Sequence, residues 1–247
     1  MVSHPLIVAH RGFSAVAPEN TLAAFRAAHA AGAVAAECDV RCTADGQVVL
    51  LHDTTLDRTT SGTGPLAGVT LGDLRRLDAG SWRGAEYAGE AVPTLAEALD
   101  VARGRLHLVI EVKESSIAER VMEVVRRADA AAHVSVIAFD AAICRRVREL
   151  APTVPVGWLT GGLPSGASAE EARELLEEGL VAGVQFLDVA ADGLAPSLMQ
   201  CCCLAGLSVW VWTVNEPQEV RRCASLGVAA LTTDDPATAL AVLGGGP

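Results

Sequence analysis

The chain has 247 residues, 51% of them hydrophobic and 20% charged, a balance that supports a sizeable core and excludes a largely disordered chain. Its 19 basic and 30 acidic residues leave a formal net charge of −11, which excludes a general nucleic-acid-coating surface, because phosphate backbones need clustered Lys and Arg. No run reaches the roughly 18–20 uninterrupted apolar residues of a membrane span, so no stable membrane insertion is expected.

The first residues read straight into a strand, Leu6–His10, with no room for a signal peptide. A helix over Thr21–Ala31 follows, with Asn20 as its expected N-cap. Strand Ala35–Arg41 comes next, and the turn Ala44-Asp45-Gly46 folds Gln47–His52 back onto it as a hairpin. Residues 54–93 are polar, Gly-rich and irregular, with helical character only over Leu71–Leu77. A loop of that length is usually functional or disordered. Trp82, Tyr87 and several turn signals favour an ordered insertion that covers one mouth of the fold.

Beyond it, Thr94 and Glu97 make a capping box for the helix Thr94–Arg103. Buried-type strands then alternate with amphipathic helices. The strands are Leu106–Lys113, Val134–Phe139, Val156–Thr160, Val184–Val189, Val209–Val214 and Ala230–Thr233. The helices are Ala118–Ala130, Ala141–Leu150, Ala169–Gly179, Pro196–Gly206, Pro217–Gly227 and Pro236–Leu243. Eight strand–helix units in this length predict an α/β chain folded as one closed parallel (β/α)8 barrel over 1–247, with an open doubly wound sheet as the alternative. The seven cysteines are odd in number and no secretion signal accompanies them, so reduced thiols and a cytoplasmic location are expected. The run Cys201-Cys202-Cys203 lacks zinc-site spacing and reads as packing.

In such barrels the active site lies at the carboxyl ends of the strands. There the polar residues are unevenly distributed. Glu37 and Asp39 are two apart on one strand and share a face, and Glu111 and Lys113 repeat the geometry on another. Acids inside a barrel are costly unless something positive meets them. A hard divalent cation, Mg²⁺ or Ca²⁺, suits all-oxygen ligands; a buried salt-bridge cluster neutralised by Arg11 and Lys113 is the alternative. His10 and His52 each end an apolar run near these acids, and two such imidazoles can divide acid and base work near neutral pH. Asp53 can orient a ring or cap the loop, capping being the blander role; Asn215 reads as the cap of the helix at Pro217, and Trp210 as core. Val16, Ala17, Leu163 and Pro164 are the candidates for a modest apolar groove.

The ordered motifs resemble the glycerophosphodiester phosphodiesterase family. They run from His10-Arg11-Gly12 and Pro18-Glu19-Asn20-Thr21, through Glu37-x-Asp39, Asp45-Gly46 and Leu50–Gly64, to Leu77-Asp78-Ala79-Gly80-Ser81 and Pro93-Thr94-Leu95. Glu111-x-Lys113, Trp212–Pro217 and Thr232–Pro236 complete the set, so the likeness spans essentially the whole chain. It implies a TIM barrel with a small insertion after the second strand, and metal-dependent hydrolysis of small glycerophosphodiesters to sn-glycerol 3-phosphate and an alcohol. Carried over by position, Glu37, Asp39 and Glu111 are the implied metal ligands. His10 and His52 are the implied general base and acid, Arg11 and Lys113 the phosphate contacts, and Phe139 and Trp212 the glycerol-side lining. The chain departs from the family pattern at Ala138, often Ser, and at Ala230-Leu231, usually Gly-Ile; neither removes a catalytic group. Cleavage of lysophospholipid head groups at the same site, or a barrel that binds a phosphodiester without turning it over, are the competing expectations.

Overall fold

The computed structural model describes residues 4–164 and 166–244; the ends of the expected 1–247 domain lie outside them. The first elements are β1 (Leu6–Ala9), α1 (Leu22–Ala30), β2 (Ala35–Cys42), β3 (Val48–Leu50), α2 (Leu71–Leu74), α3 (Leu95–Ala102) and β4 (His107–Val112). Next are α4 (Ala118–Arg127), β5 (Val134–Ala138), α5 (Ala141–Leu150), β6 (Val156–Thr160), α6 (Ala169–Val181) and β7 (Phe186–Ala190). The last are α7 (Pro196–Ala205), β8 (Ser208–Trp212), α8 (Pro217–Ser225), β9 (Ala230–Thr233) and α9 (Pro236–Gly244). Eight of the strands run parallel, and β1 pairs with both β2 and β9, which closes the ring. The fold is therefore the (β/α)8 TIM barrel, and closure removes the open-sheet alternative. β3 stands outside the ring as the expected hairpin strand, antiparallel to β2 with Leu50 opposite Val40.

Strand alternation decides which side chains reach the inside. On β2, Ala36, Cys38 and Val40 join the apolar layer under the helices. Ala35, Glu37 and Asp39 are left facing inward. On β4, Leu108, Ile110 and Val112 pack outward in the same way, leaving Val109 and Glu111 inside. The barrel interior is plugged by Val8, Ala35, Val109, Ile137, Leu159, Phe186 and Ala230. Phe186 fits because its register partner is Gly157, where a Cβ would lie 2.0 Å from the Phe186 ring. The Phe186 ring stacks on Trp210 at 4.0 Å, so Trp210 packs in the core as expected. With the plug in place, the polar residues at the next inward positions open toward the C-terminal mouth.

The turn after β1 is tight. Gly12 adopts φ +81°, and a Cβ there would sit 2.5 Å from the Ala24 methyl, so only glycine lets the turn lie against α1. Arg11 and Asn20 also take positive φ, 55° and 57°. Thr21, not Asn20, is the N-cap of α1: its side chain accepts from the Ala24 N–H at 3.3 Å. Asn20 is diverted because its left-handed backbone turns its amide onto Asp39.

The 54–93 segment has its own apolar cluster, in which Leu56, Leu66, Leu74, Ala79 and Val92 pack with Val49 and Leu51. Its α-helix stops at Leu74, shorter than expected. The segment reaches the β1–α1 loop, where Tyr87 Oη donates to the Val16 carbonyl at 3.0 Å and Arg83 donates to the Ala15 carbonyl. In α7, Cys201, Cys202 and Cys203 are half-buried, buried and exposed in turn, as adjacent helical positions must be, and all seven cysteines are free. Of the four candidates for an apolar groove, Ala17 and Leu163 are buried in the packing, whereas Val16 and Pro164 are exposed.

Candidate active site

Register brings the acids together. Asp39 on β2 pairs with Glu111 on β4, and Glu37 lies one inward position earlier on β2. One oxygen from each of Glu37, Asp39 and Glu111 lies within 4.8 Å of the others, and all three residues are buried. Lys113 Nζ stands 2.8 Å from Asp39 Oδ1 and 2.6 Å from Glu111 Oε1. Arg11 donates its backbone N–H to Glu37 Oε2 at 2.9 Å and holds its Nε 3.2 Å from Asp39 Oδ2. Asn20 holds Asp39 by side chain and backbone: its Nδ2 donates to Asp39 Oδ2 at 2.7 Å, and its Oδ1 accepts from the Asp39 backbone N–H at 3.1 Å.

These cations do not satisfy the whole cluster. Glu37 Oε1 is buried with no hydrogen-bond partner among the described residues. Burial, reinforced by Asp39 and Glu111, pushes the Glu37 carboxyl well above the usual range. Burial also pushes Asp39 upward, but Lys113 and Arg11 outweigh it and hold that group at about 2. A set of hard carboxylate oxygens with one orphan and a deficit of positive charge fits a divalent cation better than a closed salt bridge.

The two imidazoles flank this cluster, and each has a carboxylate behind it. His10 Nδ1 lies 2.6 Å from Asp234 Oδ1, while its Nε2 faces Glu37 Oε2 at 3.9 Å. Asp234 is itself fixed: Ser14 Oγ donates to Oδ1 at 3.1 Å and Asn215 Nδ2 to Oδ2 at 2.6 Å. Burial pushes the Asp234 carboxyl up, yet these bonds, led by that to His10, hold it at about 2. His52 Nδ1 lies 2.7 Å from Asp53 Oδ1. Arg58 donates to Asp53 Oδ2 at 2.7 Å and to both oxygens of Glu19 at 2.7 and 2.8 Å. Glu19 also accepts from Arg11 at 2.8 Å, so the insertion is tied to the β1–α1 loop. Burial moves the His52 imidazole below its ordinary value, against the opposing pull of Asp53.

A cavity of about 200 Å³ gathers eight of the nine residues singled out in the sequence: His10, Arg11, Glu37, His52, Glu111, Lys113, Phe139 and Trp212. The ninth, Asp39, is fully buried behind them and meets the cavity only through its neighbours. Phe139 and Trp212 form an edge-to-face pair, 5.5 Å apart, at the rim. A more open groove of about 610 Å³ adjoins this cavity and shares His10 and Arg11 with it, with Trp82, Arg83 and Asp235 on its outer side.

The geometry adds residues that sequence reasoning missed or misread. Asp53 contacts the His52 ring, the first of the two roles open to it in the sequence. Asn215 holds Asp234 instead of capping α8, whose N-cap is Glu216. Asn20, read in the sequence as a helix cap, and Asp234, Glu19 and Arg58, which had no assigned role, all support the site. A signal existed for Asp234, since it follows the last barrel strand at the mouth end.

Residues 10–238 match the model of the glycerophosphoryl diester phosphodiesterase family. The chain belongs to that family. A glycerophosphodiester phosphodiesterase of Caldanaerobacter subterraneus subsp. tengcongensis is 33% identical over 94% of this chain and 95% of its own length. Among solved structures, an Oleispira antarctica phosphodiesterase in complex with the product sn-glycerol-3-phosphate superposes with a TM-score of 0.86. It is 28% identical and covers 98% of this chain and 97% of that one. A glycerophosphodiester phosphodiesterase from Agrobacterium tumefaciens gives a TM-score of 0.83 at 29% identity, covering 96% of this chain and 99% of that one. Membership makes the chain a phosphoric diester hydrolase.

Proposed function

We propose that this phosphodiesterase hydrolyses small glycerophosphodiesters to sn-glycerol 3-phosphate and an alcohol, using His10 and His52 as base and acid beside a cation held by Glu37, Asp39 and Glu111. The observation that carries the reading is the pairing of each imidazole with its own carboxylate on either side of one acid cluster. Mg²⁺ or Ca²⁺ suits the donor set, and such an ion supplies Lewis-acid stabilisation of charge on a phosphate oxygen. Arg11 and Lys113 bring further positive charge to the same cavity for the non-bridging oxygens.

With Nδ1–H donating to Asp234, His10 keeps Nε2 free to take a proton from the nucleophile as the new P–O bond forms. His52 gives its proton to the alcohol oxygen as the old P–O bond breaks. The nucleophile is either water or the adjacent glycerol hydroxyl, and a trapped cyclic phosphate distinguishes the second route. Phe139 and Trp212 line the glycerol side.

We read the chain as one catalytic domain whose 54–93 insertion walls the mouth, a reading supported by its contacts with Ala15, Val16 and Glu19. The free thiols suit a reducing, cytoplasmic setting. Small substrates are favoured over lysolipids because two of the four candidates for an apolar groove, Ala17 and Leu163, are buried. No helix among the described residues is long and apolar enough to cross a membrane.

The test is turnover of glycerophosphocholine beside lysophosphatidylcholine, by wild type, His10→Ala and His52→Ala, with Mg²⁺ or Ca²⁺ present. The expected result is preference for glycerophosphocholine and a loss of roughly 10²–10⁴-fold in each variant. Near wild-type turnover in either variant would remove the two-histidine scheme. Binding without turnover in the wild type would leave a phosphodiester-binding barrel.

A further inference from the structure

β7 lies opposite β2 and β8 opposite β4 in the ring of eight, so the wall that faces the acid cluster is built from β7 and β8. On that wall the cavity is lined by Asp188, Trp212 and Thr213, flanked by Ile137 and Leu159 on one side and Thr232 on the other. Among these residues Asp188 is the one carboxylate. It is 1% exposed, and its Oδ1 has no hydrogen-bond partner among the described residues. Alternation on β7 accounts for its direction: Leu187 and Val189 pack outward under the helices, and Phe186 belongs to the interior plug, so Asp188 is the next inward position. Its backbone carbonyl accepts from Trp212 Nε1 at 3.1 Å, which fixes the Trp212 ring beside it.

We propose that Asp188 is a specificity-determining residue that receives a glycerol hydroxyl of the substrate, so that the cavity selects a phosphoester whose glycerol is free of acyl chains. This rests on the phosphodiesterase reading above and names the substrate feature that reading leaves open. With phosphate drawn to the Arg11 and Lys113 side, the rest of a glycerol phosphate extends toward β7. Its carbons then meet Ile137, Leu159 and Trp212, and a hydroxyl meets Asp188. An alcohol O–H suits this carboxyl in either protonation state: it donates to a carboxylate, and it both donates to and accepts from a carboxylic acid. Burial, with Glu111 adding to it, pushes Asp188 up to about 8, which disfavours the charged form that a cationic ligand would require. An acyl chain would leave the buried oxygen without a partner, which a site of this kind rejects.

The experiment compares binding of sn-glycerol 3-phosphate and propyl phosphate by calorimetry, in buffer with Mg²⁺ or Ca²⁺, for wild type, Asp188→Asn and Asp188→Ala. Wild type is expected to prefer sn-glycerol 3-phosphate by roughly tenfold or more, the size of one buried hydrogen bond. Asp188→Ala should lose that preference while holding propyl phosphate within about threefold of wild type. Asp188→Asn, which keeps an acceptor and a donor, should retain most of it. The assignment falls if wild type does not discriminate, if Asp188→Ala still does, or if Asp188→Ala weakens both ligands equally. Turnover of glycerophosphocholine by the same wild-type preparation separates the two claims. Selective binding without turnover overturns the enzymatic reading and leaves Asp188 assigned. Turnover without selectivity removes only Asp188.

Discussion

Asp234→Ala probes how much of the base function comes from its support. The carboxylate lies 2.6 Å from His10 Nδ1, and Asn215 and Ser14 hold it in place. A hydrogen bond to a charged group is worth about 1.5–3 kcal/mol net. The Asp234 side chain is 35% exposed, which argues for the lower half of that range. About 1.5–2 kcal/mol corresponds to a fall of roughly 10–30-fold in turnover. The loss has two sources: the ring is no longer held with Nε2 toward the cavity, and the anion that steadies the imidazolium is gone. The assay is kcat and KM for glycerophosphocholine in Asp234→Ala, His10→Ala and the double variant. Because Asp234 acts through His10, the double variant should be no slower than His10→Ala alone. Turnover of Asp234→Ala within twofold of wild type would refute the reasoning. So would a double variant showing the product of both losses.

Two further outcomes follow from the same contacts. Burial lowers the His52 pKa and Asp53 partly restores it, so a proton-donating His52 loses activity as pH rises through a value below the ordinary imidazole pKa of about 6.5. Asp53→Ala removes the upward pull and should move that limb of the kcat/KM–pH profile further to acid; an unmoved or alkaline-shifted limb contradicts the assignment. Asn20→Ala forfeits two hydrogen bonds to Asp39 and leaves Ala at a φ of 57°, so it should lower stability by about 2–4 kcal/mol in denaturant unfolding. It should also weaken divalent-cation binding by about 10–100-fold, as loss of a ligand's supporting contact does. Asn20→Gly relieves the strain but not the cation defect, so equal cation affinity in Asn20→Gly and wild type would count against the role.

Much of this was legible in the chain because it depends on local rules. A two-residue spacing on buried strands places Glu37 with Asp39 and Glu111 with Lys113 on inward faces. The carboxyl-end rule places His10 and His52 at the mouth, and Thr94 with Glu97 forms the capping box its spacing announces. What escaped depends on closure of the barrel. Asp234 lies 224 positions from His10, and only the β1–β9 pairing makes them neighbours. Asn20 has the composition of a cap, and its left-handed backbone, set by the tight turn from Arg11 and Gly12, sends the amide elsewhere. Ala17 and Leu163 looked like surface because loop residues usually are, yet tertiary packing buries both. Asp188 is one acid in a buried strand with no periodic partner, so only the cavity gives it meaning.

The proposed hydrolysis depends on Glu37, Asp39 and Glu111 gripping one dication together. Calorimetric titration of chelator-stripped protein with Mg²⁺ and with Ca²⁺, repeated for Glu37→Gln and Glu111→Gln, tests it most directly. The account predicts one site per chain in wild type, at least tenfold weaker binding in each variant, and recovery of hydrolysis in step with occupancy. Stripped protein that takes up no cation, variants that bind as wild type does, or full hydrolysis in excess chelator would contradict it.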